Sequence, residues 1–487
     1  MDLKRLYKQK ITDEILKTYG DAWSVLIHDK MTADIVNSIF KKSDLIDFNI
    51  TAIFSIGDHR PKWDLPAIYF VNCTKEIAKS INSEYKSGRY SSIKVFSLCP
   101  PQNLDPMIKC TVVMLDIKII EERIFQCTWD NLSAVSSILN AKLNISHIGC
   151  TKNLAQKIKD ALILPRSIEK QASLLVLDRT VDLYTPLMYF FTFRSILSEV
   201  GSADCADEYY KEIRNRHVGE ISKYLQYTVL KLQESINKLD KDNVDVNVLD
   251  TLVLEAPKNL ELKKNVEKYG KHLEKCFQKL QEVQGIAESQ QNLVLEKDKA
   301  GNKACISLDY FMSSIVSPAL TVDDRVGLLF LLKVKGIIFT ESELTLLKSR
   351  GFSREDLSIV FNRRNQILRT REVNYKYEVS RYEPIVKDVV ENFITKQGMF
   401  QTIDHEQEKI ESLRRSTMFS SGKQPRKLVV VFIKNGLAIE EMRLAYSLSE
   451  SLGVEFIFGS DKVLTRREFV NEYRTNAELH EAVIDKR

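Results

Sequence analysis

Two aspartates, Asp178 and Asp182, stand on either side of Arg179 in the stretch LLVLDRTVDLYTPL. Carboxylates placed where a parallel strand ends could ligate a metal ion or work as an acid and base pair, because α/β enzymes gather their sites at the carboxyl ends of strands. Arg179 argues against that use. A fixed guanidinium charge keeps a neighbouring carboxylate ionised, which suits an ion-paired corner better than a group that must gain and lose a proton. Pro186 ends the turn, and LMYFFTFRSIL then reads as a helix that buries its aromatic side chains. Asp178, Arg179, Asp182 and Pro186 are therefore expected to form a structural corner. The alternative is an α/β hydrolase or phosphotransferase built on Asp178 and Asp182.

The remaining candidates for chemistry are sparse. The chain has no G-x-G-x-x-G, no G-x-x-x-x-G-K-[ST], no H-E-x-x-H and no G-x-S-x-G, so neither a phosphate cradle nor a nucleophile elbow is expected. His217, in RNRHVGE, is placed by periodicity inside a helix with no second ligand one turn on, and reads as a structural histidine. The 8 cysteines lie far apart without a C-x-x-C pair, as reduced thiols of a cytosolic protein would. We expect no metal and no cofactor. Arg363, Arg364, Arg369 and Arg371 alternate with Tyr375, Tyr377 and Tyr382, a mixture that could grip nucleic acid. No nucleic-acid-reading motif accompanies it, so a solvated basic face is the reading.

These groups must be positioned by a large scaffold. At 487 residues the chain exceeds what one hydrophobic core usually serves. Its 44% hydrophobic and 28% charged content is that of a globular protein, and 71 basic against 66 acidic side chains leave a net charge of +5, too little for a dedicated nucleic-acid binder. The most apolar window, VGLLFLLKVKGIIF, is short and broken by Lys333 and Lys335. The termini carry no recognisable signal or lipidation motif, so direct membrane insertion is not expected.

Along the first 125 residues, helix-like segments such as LKRLYKQKITDEILKTY alternate with short apolar runs, WSVLIH, NITAIFSI, PAIYFVN and IKVFSL. Unbroken apolar runs between helices predict a parallel, doubly wound sheet. A second α/β unit begins near residue 126. Its strand SLLVL has a counterpart, KLVVVFI, only near residue 427, which predicts one sheet built from two separated stretches with a helical domain inserted between them. The expected organisation is an α/β domain over 1–125, a second α/β domain over 126–203 and 382–487, and a helical domain over 204–381.

Within the insert, Ile221, Leu225, Val229, Leu232, Ile236 and Leu239 recur at three- and four-residue steps, predicting one long helix over 208–239. Leu262, Val266, Tyr269, Leu273, Cys276, Leu280 and Val283 keep a heptad-like rhythm in a second helix, whose start Pro257 and Asn259 mark. The polar EKDKAGNKA, residues 296–304, is expected to be a mobile break after it. Mutual packing inside the domain explains such stripes, and so does a surface that accepts partner helices.

Taken in order, LLVLDRTVDLYTPL, EIRNRHVGEISK, LTVDDRVGLLFLLKVKGI with Arg325, SRYEPIVKDVVENFI, VVVFIKNGLAIEEMRLAYSL and FIFGSDKVLTRREFV resemble the motifs of the SM family (Sec-one/Munc-eighteen type), which regulates SNARE-driven membrane fusion. WSVLIHD and DLPAIYFV extend the likeness to the N-terminal part. FIKNGL departs from the family's more glycine-rich turn, and the chain is shorter than is usual there.

The resemblance implies an α/β three-domain arch and a cytoplasmic, non-enzymatic monomer, peripheral to membranes through its partners. Those partners would be a syntaxin-type SNARE and the assembled SNARE complex. It implies that Asp29, Lys30, Lys41 and Arg60 line a SNARE-binding cavity, where solvated surface is the plainer reading. An outer pocket for a syntaxin N-terminal peptide would fall at Val113, Leu115 and Asp116, residues that a buried strand explains as well. Leu262, Val266, Tyr269 and Leu273 would lie on helices that template SNARE assembly. EIRNRHVGEIS, SRYEPIVKDVVE and EEMRLAY lean toward exocytosis, while DLPAIYFV leans toward transport between endoplasmic reticulum and Golgi.

Overall fold

The computed structural model describes residues 1–165, 168, 170–201, 207–237, 246–304, 308–316, 320–361, 371–372, 380–395, 400–403 and 427–474. The chain gathers into two compact units. One is Met1–Asp178 with Gly398–Leu437 and Ala445–Lys462, and the other is Arg179–Gln397 with Ala438–Leu444 and Val463–Arg487.

The first unit holds two sheets. Strands β1 (Ser24–His28), β2 (Ile50–Ser55), β3 (Ala67–Val71), β4 (Ile93–Ser97) and β5 (Lys109–Val112) pair in parallel in the order β2-β1-β3-β4-β5. The order reverses at β1, as in a doubly wound sheet. Helices α1 (Lys30–Ile39) and α2 (Lys75–Lys86) lie in its crossovers. Successive strand residues face opposite ways. Val25, Ile27, Tyr69 and Val95 pack with Ala78 and Ile81 of α2, while Leu26, Ile68, Phe70 and Phe96 enter a second core. Both faces are covered, which is why these strands read as unbroken apolar runs.

The second sheet comprises β6 (Lys118–Glu121), β7 (Ile124–Gln126), β8 (Ala141–His147), β9 (Lys170–Asp178), β10 (Gln401–Thr402), β11 (Leu428–Lys434) and β12 (Glu455–Ser460), ordered β10-β8-β9-β11-β12-β7-β6. Its middle strands are parallel, and β10 and β6 are antiparallel edges. Strand β11 sits between β9 and β12, with Val430 beside Leu174 and Ile457. Two distant stretches of chain thus make one sheet. Leu174, Val176, Val430 and Phe432 share a core with Leu26 and Phe70 of the first sheet, and each such side chain contributes roughly 1.5–3 kcal/mol when fully buried. Gly459 is opposite Phe125 in register, and a Cβ added there would fall within the Phe125 ring.

The second unit is mainly helical, with α3 (Glu208–Ile213), α4 (Val218–Asn237), α5 (Val246–Leu295) and α6 (Val322–Lys335). The single helix expected over 208–239 is interrupted. The Phe193 and Arg194 amides donate to the Arg216 and Arg214 carbonyls at 2.9 Å, and the Val218 amide donates to the Phe191 carbonyl at 2.8 Å. These bonds draw residues 214–218 out of the helix. His217 consequently lies in a bridge with Thr192 rather than inside a helix, and its Nδ1 accepts from the Gly219 amide at 3.1 Å. Burial pushes its pKa down to about 4.

The second helix begins at Val246 and passes through Pro257, where its start was expected. An interior proline removes one amide donor and crowds the carbonyl four residues earlier, a cost of about 3 kcal/mol that the rest of this 50-residue helix offsets. The break at 296–304 is real but tied down. The Asp298 Oδ1 accepts from the Ala300 and Asn302 amides at 2.9 Å, and the Arg381 guanidinium donates to the Lys297 and Asp298 carbonyls at 3.2 and 2.8 Å. Among the described residues no helix is long and apolar enough to cross a membrane.

Candidate functional site

The acidic corner is built from backbone geometry. Strand β9 ends at Asp178, whose carboxylate accepts from the Asn435 amide at 2.8 Å within the first unit. Arg179 opens the second unit and is 2% exposed. Its Nη1 and Nη2 donate to the Glu441 carboxylate at 2.6 and 2.7 Å, and its Nε donates to the Asp182 carbonyl at 2.8 Å. Burial works against that charge. The bidentate carboxylate more than compensates and holds the guanidinium pKa above its ordinary value.

Asp182 is wholly buried. Its Oδ1 accepts from the Tyr184 and Thr185 amides at 3.0 Å, and its Oδ2 accepts from the Thr185 hydroxyl at 2.5 Å and the Ile385 amide at 3.0 Å. The Tyr382 hydroxyl lies 3.3 Å away, its pKa raised first by burial and then by the Asp182 charge. Pro186 is buried in the short turn Thr185–Leu187. Asp182 has no face left for a substrate, and the two aspartates make separate sets of bonds. Among the described residues no group of three or more His, Cys, Asp or Glu side chains is placed to hold a metal ion.

The partners of this corner were not identified in the sequence. Glu441 supplies the counter-charge for Arg179. Glu440 accepts from the Thr192 and Ser195 hydroxyls at 2.6 and 2.8 Å, and Arg443 joins it to Glu383, donating to the latter at 2.6 Å. Both EEMR and RYEP are visible as motifs, but a separation of 262 residues between Arg179 and Glu441 hides their pairing.

The four charged residues expected in the cavity are placed differently from one another. Asp29 caps α1, accepting from the Thr32 amide at 2.9 Å and the Asn72 amide at 2.7 Å. Arg60 is 2% exposed, donates to the Ile56 carbonyl at 3.1 Å and pairs with Glu84. Lys30 and Lys41 are exposed. Of the outer-pocket residues, Val113 and Leu115 belong to the core. Asp116 is half-buried and accepts from the Asn131 amide at 2.6 Å. Burial raises its pKa against the lowering effect of that bond. The arginine- and tyrosine-rich stretch falls largely outside the described residues, which leaves out Arg363, Arg364, Arg369, Tyr375 and Tyr377.

The apolar stripe on α5 divides into two parts. Tyr269, Leu273, Cys276 and Val283 form a core with Ile221 and Leu225 of α4 and with Phe193 and Tyr209. Tyr209 stacks on Tyr269 with ring centroids 5.3 Å apart, and the Tyr269 hydroxyl donates to Asp207 at 2.7 Å. Lys268 pairs with the same carboxylate at 2.9 Å. Toward the N-terminal end of α5 burial gives way. Leu262 and Val266 are half-buried, while Leu260 on α5 and Tyr227 and Leu230 on α4, which lie off the stripe, are 55%, 56% and 57% exposed. The Ile236 side chain and Leu239 lie outside the described residues. Alongside the stripe, Lys264, Glu267, Lys268, Lys271, His272 and Lys275 line a predominantly basic groove of about 440 Å³.

The comparisons agree with this architecture. "Protein transport protein sec1" of Dictyostelium discoideum is 20% identical over 598 aligned residues, covering 97% of this chain and 99% of that protein. "Protein SLY1" of Saccharomyces cerevisiae is 38% identical over 96 residues, 19% of this chain and 14% of that protein. A chain in the crystal structure of the Unc18-syntaxin 1 complex from Monosiga brevicollis shares the fold, with a TM-score of 0.77 at 18% identity over 97% of this chain and 99% of that one. The Sec1 family model matches residues 24–472, a span that takes in both sheets, the saturated corner and the helical hairpin, and the chain belongs to the Sec1 family.

Proposed function

We propose that this protein binds a syntaxin-type SNARE and aligns SNARE helices for assembly, as a regulator of vesicle docking and fusion that makes and breaks no covalent bond. The observation that carries this reading is the stripe on α5, which is core from Tyr269 onward but only half-buried at Leu262 and Val266, beside the groove lined by Lys264, Lys268, Lys271 and Lys275. An apolar strip at heptad spacing, flanked by lysines, is the surface that an amphipathic helix with acidic flanks fits. SNARE segments pay an ordering cost when they zipper. A surface that holds two of them in register removes part of that cost beforehand.

Exposed Lys30 and Lys41 suit long-range steering of such partners. The protein would then work in the cytoplasm, held at membranes by its ligands. The motifs EIRNRHVGEIS, SRYEPIVKDVVE and EEMRLAY favour an exocytic step. The shorter but closer match to SLY1, together with DLPAIYFV, favours the second reading, transport between endoplasmic reticulum and Golgi.

The test uses purified protein with the paired substitution Leu262→Asp and Val266→Asp, and separately Lys264→Glu with Lys271→Glu. Leu262 and Val266 are half-buried and the two lysines exposed, so thermal melts accompany the rates and the lysine pair provides the readout if the apolar pair does not fold. SNARE pairing and liposome fusion should slow by at least about tenfold, since taking each apolar side chain out of the strip weakens docking by roughly 1 kcal/mol. Unchanged rates in both variants would end the template reading. Capture experiments against a panel of syntaxin-type proteins then separate the two transport steps.

A further inference from the structure

Helix α2 carries a second basic surface, in the first unit and separate from the hairpin. Lys75, Lys79, Asn82, Ser83 and Lys86 fall on one helical face at steps of three and four residues. With Asn103 they line a groove of about 450 Å³. The opposite face holds the helix in place, with Ala78 and Ile81 buried and Glu84 turned inward to Arg60 and the Tyr69 hydroxyl.

The far wall is the loop that follows β4, and it is fixed rather than loose. The Asn82 Nδ2 donates to the Asn103 carbonyl at 2.9 Å, and its Oδ1 accepts from the Asp105 amide at 2.8 Å. The Asp105 carboxylate is turned away, accepting from the Met107 amide at 3.0 Å. The acids of α2 are Glu76 and Glu84, and the second is spent on Arg60. The three exposed ammonium groups therefore face the groove with no carboxylate among its lining residues.

We propose that this groove docks an extended, acidic segment of a partner protein, with carboxylates set against Lys75, Lys79 and Lys86. Lys75 to Lys86 spans about 16 Å of helix, the length of roughly five residues of extended chain. The Ser83 hydroxyl between the lysines can meet a peptide carbonyl or amide. Concave walls favour a narrow chain over a bilayer plane, which would touch only the crests. The site is independent of the SNARE-template reading and stands or falls by itself.

The probe is a fluorescein-labelled peptide Glu-Ser-Glu-Gly-Glu-Ser-Glu, followed by anisotropy with the full chain. Its affinity should fall about tenfold in Lys75→Gln/Lys79→Gln/Lys86→Gln and about twofold in Lys79→Gln alone, in keeping with weak surface pairs. It should fall further as salt rises. A control, Lys4→Gln/Lys109→Gln, should change it less than twofold. Thermal melts check that the variants fold, and the single substitution provides the readout if the triple does not. The proposal is overturned if the lysine variants bind the peptide as the control does. It is also overturned if the three lysines are needed for vesicles of phosphatidylcholine with phosphatidylserine, or for inositol hexakisphosphate, while the peptide is not bound.

Discussion

Replacing Asp182 by alanine should unfold much of the second unit, and the cost can be worked from its bonds. The carboxylate satisfies the buried Tyr184, Thr185 and Ile385 amides, each at 3.0 Å, and the Thr185 hydroxyl at 2.5 Å. A buried donor left without a partner costs about 1–3 kcal/mol. Three amides, after some relaxation, give roughly 4–6 kcal/mol, which approaches the whole stability of an ordinary domain at about 5–15 kcal/mol. Asp182→Asn keeps an acceptor for two of the amides but sets its NH₂ against the Ile385 N–H, for about 2 kcal/mol. Urea denaturation followed by far-ultraviolet circular dichroism should therefore rank wild type above Asp182→Asn above Asp182→Ala. A catalytic aspartate behaves in the opposite way and can be lost from a stable protein. If the Asp182→Ala curve superimposed on that of the wild type, the corner would not be a brace and the reasoning would fail.

Gly459→Ala should cost more than about 3 kcal/mol, because the new methyl must enter the space of the Phe125 ring rather than merely crowd it. Much of that loss should return when Phe125→Leu is combined with it, a coupling that a double-mutant cycle of urea midpoints reads directly. His217 gives a pH signature. Its folded pKa of about 4 lies below an unfolded value of about 6.5, so the unfolded chain takes the proton first. The stability tied to the neutral ring is whole above pH 6.5 and drains away as pH falls toward 4. Thermal melts at pH 7 and 4.5 should diverge more in wild type than in His217→Gln, and equal divergence would remove the effect from this residue.

Local patterns made the sheets legible. SLLVL and KLVVVFI are apolar without alternation because both faces of β9 and β11 are covered, and their likeness to each other foreshadowed their pairing. Arg179 was visible beside Asp182, but its guanidinium takes Glu441 while amides and the Thr185 hydroxyl hold the Asp182 carboxylate. What escaped was non-local. The break before Val218 comes from bonds to Phe191, Phe193 and Arg194, elements that helical periodicity at 208–239 cannot sense. Proline reads as a helix start whether or not the preceding turn is also helical, so Pro257 misplaced that boundary. Charge alone did not reveal that Asp29 and Arg60 turn inward while Lys30 and Lys41 stay in water, because capping and ion pairing depend on partners at Asn72 and Glu84.

Strand β11 occupies a central place in its sheet yet lies about 250 residues after its neighbour β9. During synthesis β9 waits with one hydrogen-bonding edge bare until residues up to Lys434 leave the ribosome. At about 5–20 residues per second, the roughly 250 residues between them take some 12–50 s. An open, strongly apolar strand edge invites wrong pairing for all of that time, so the nascent chain needs a chaperone to shield it, and truncations that remove β11 should yield aggregates rather than a smaller folded protein.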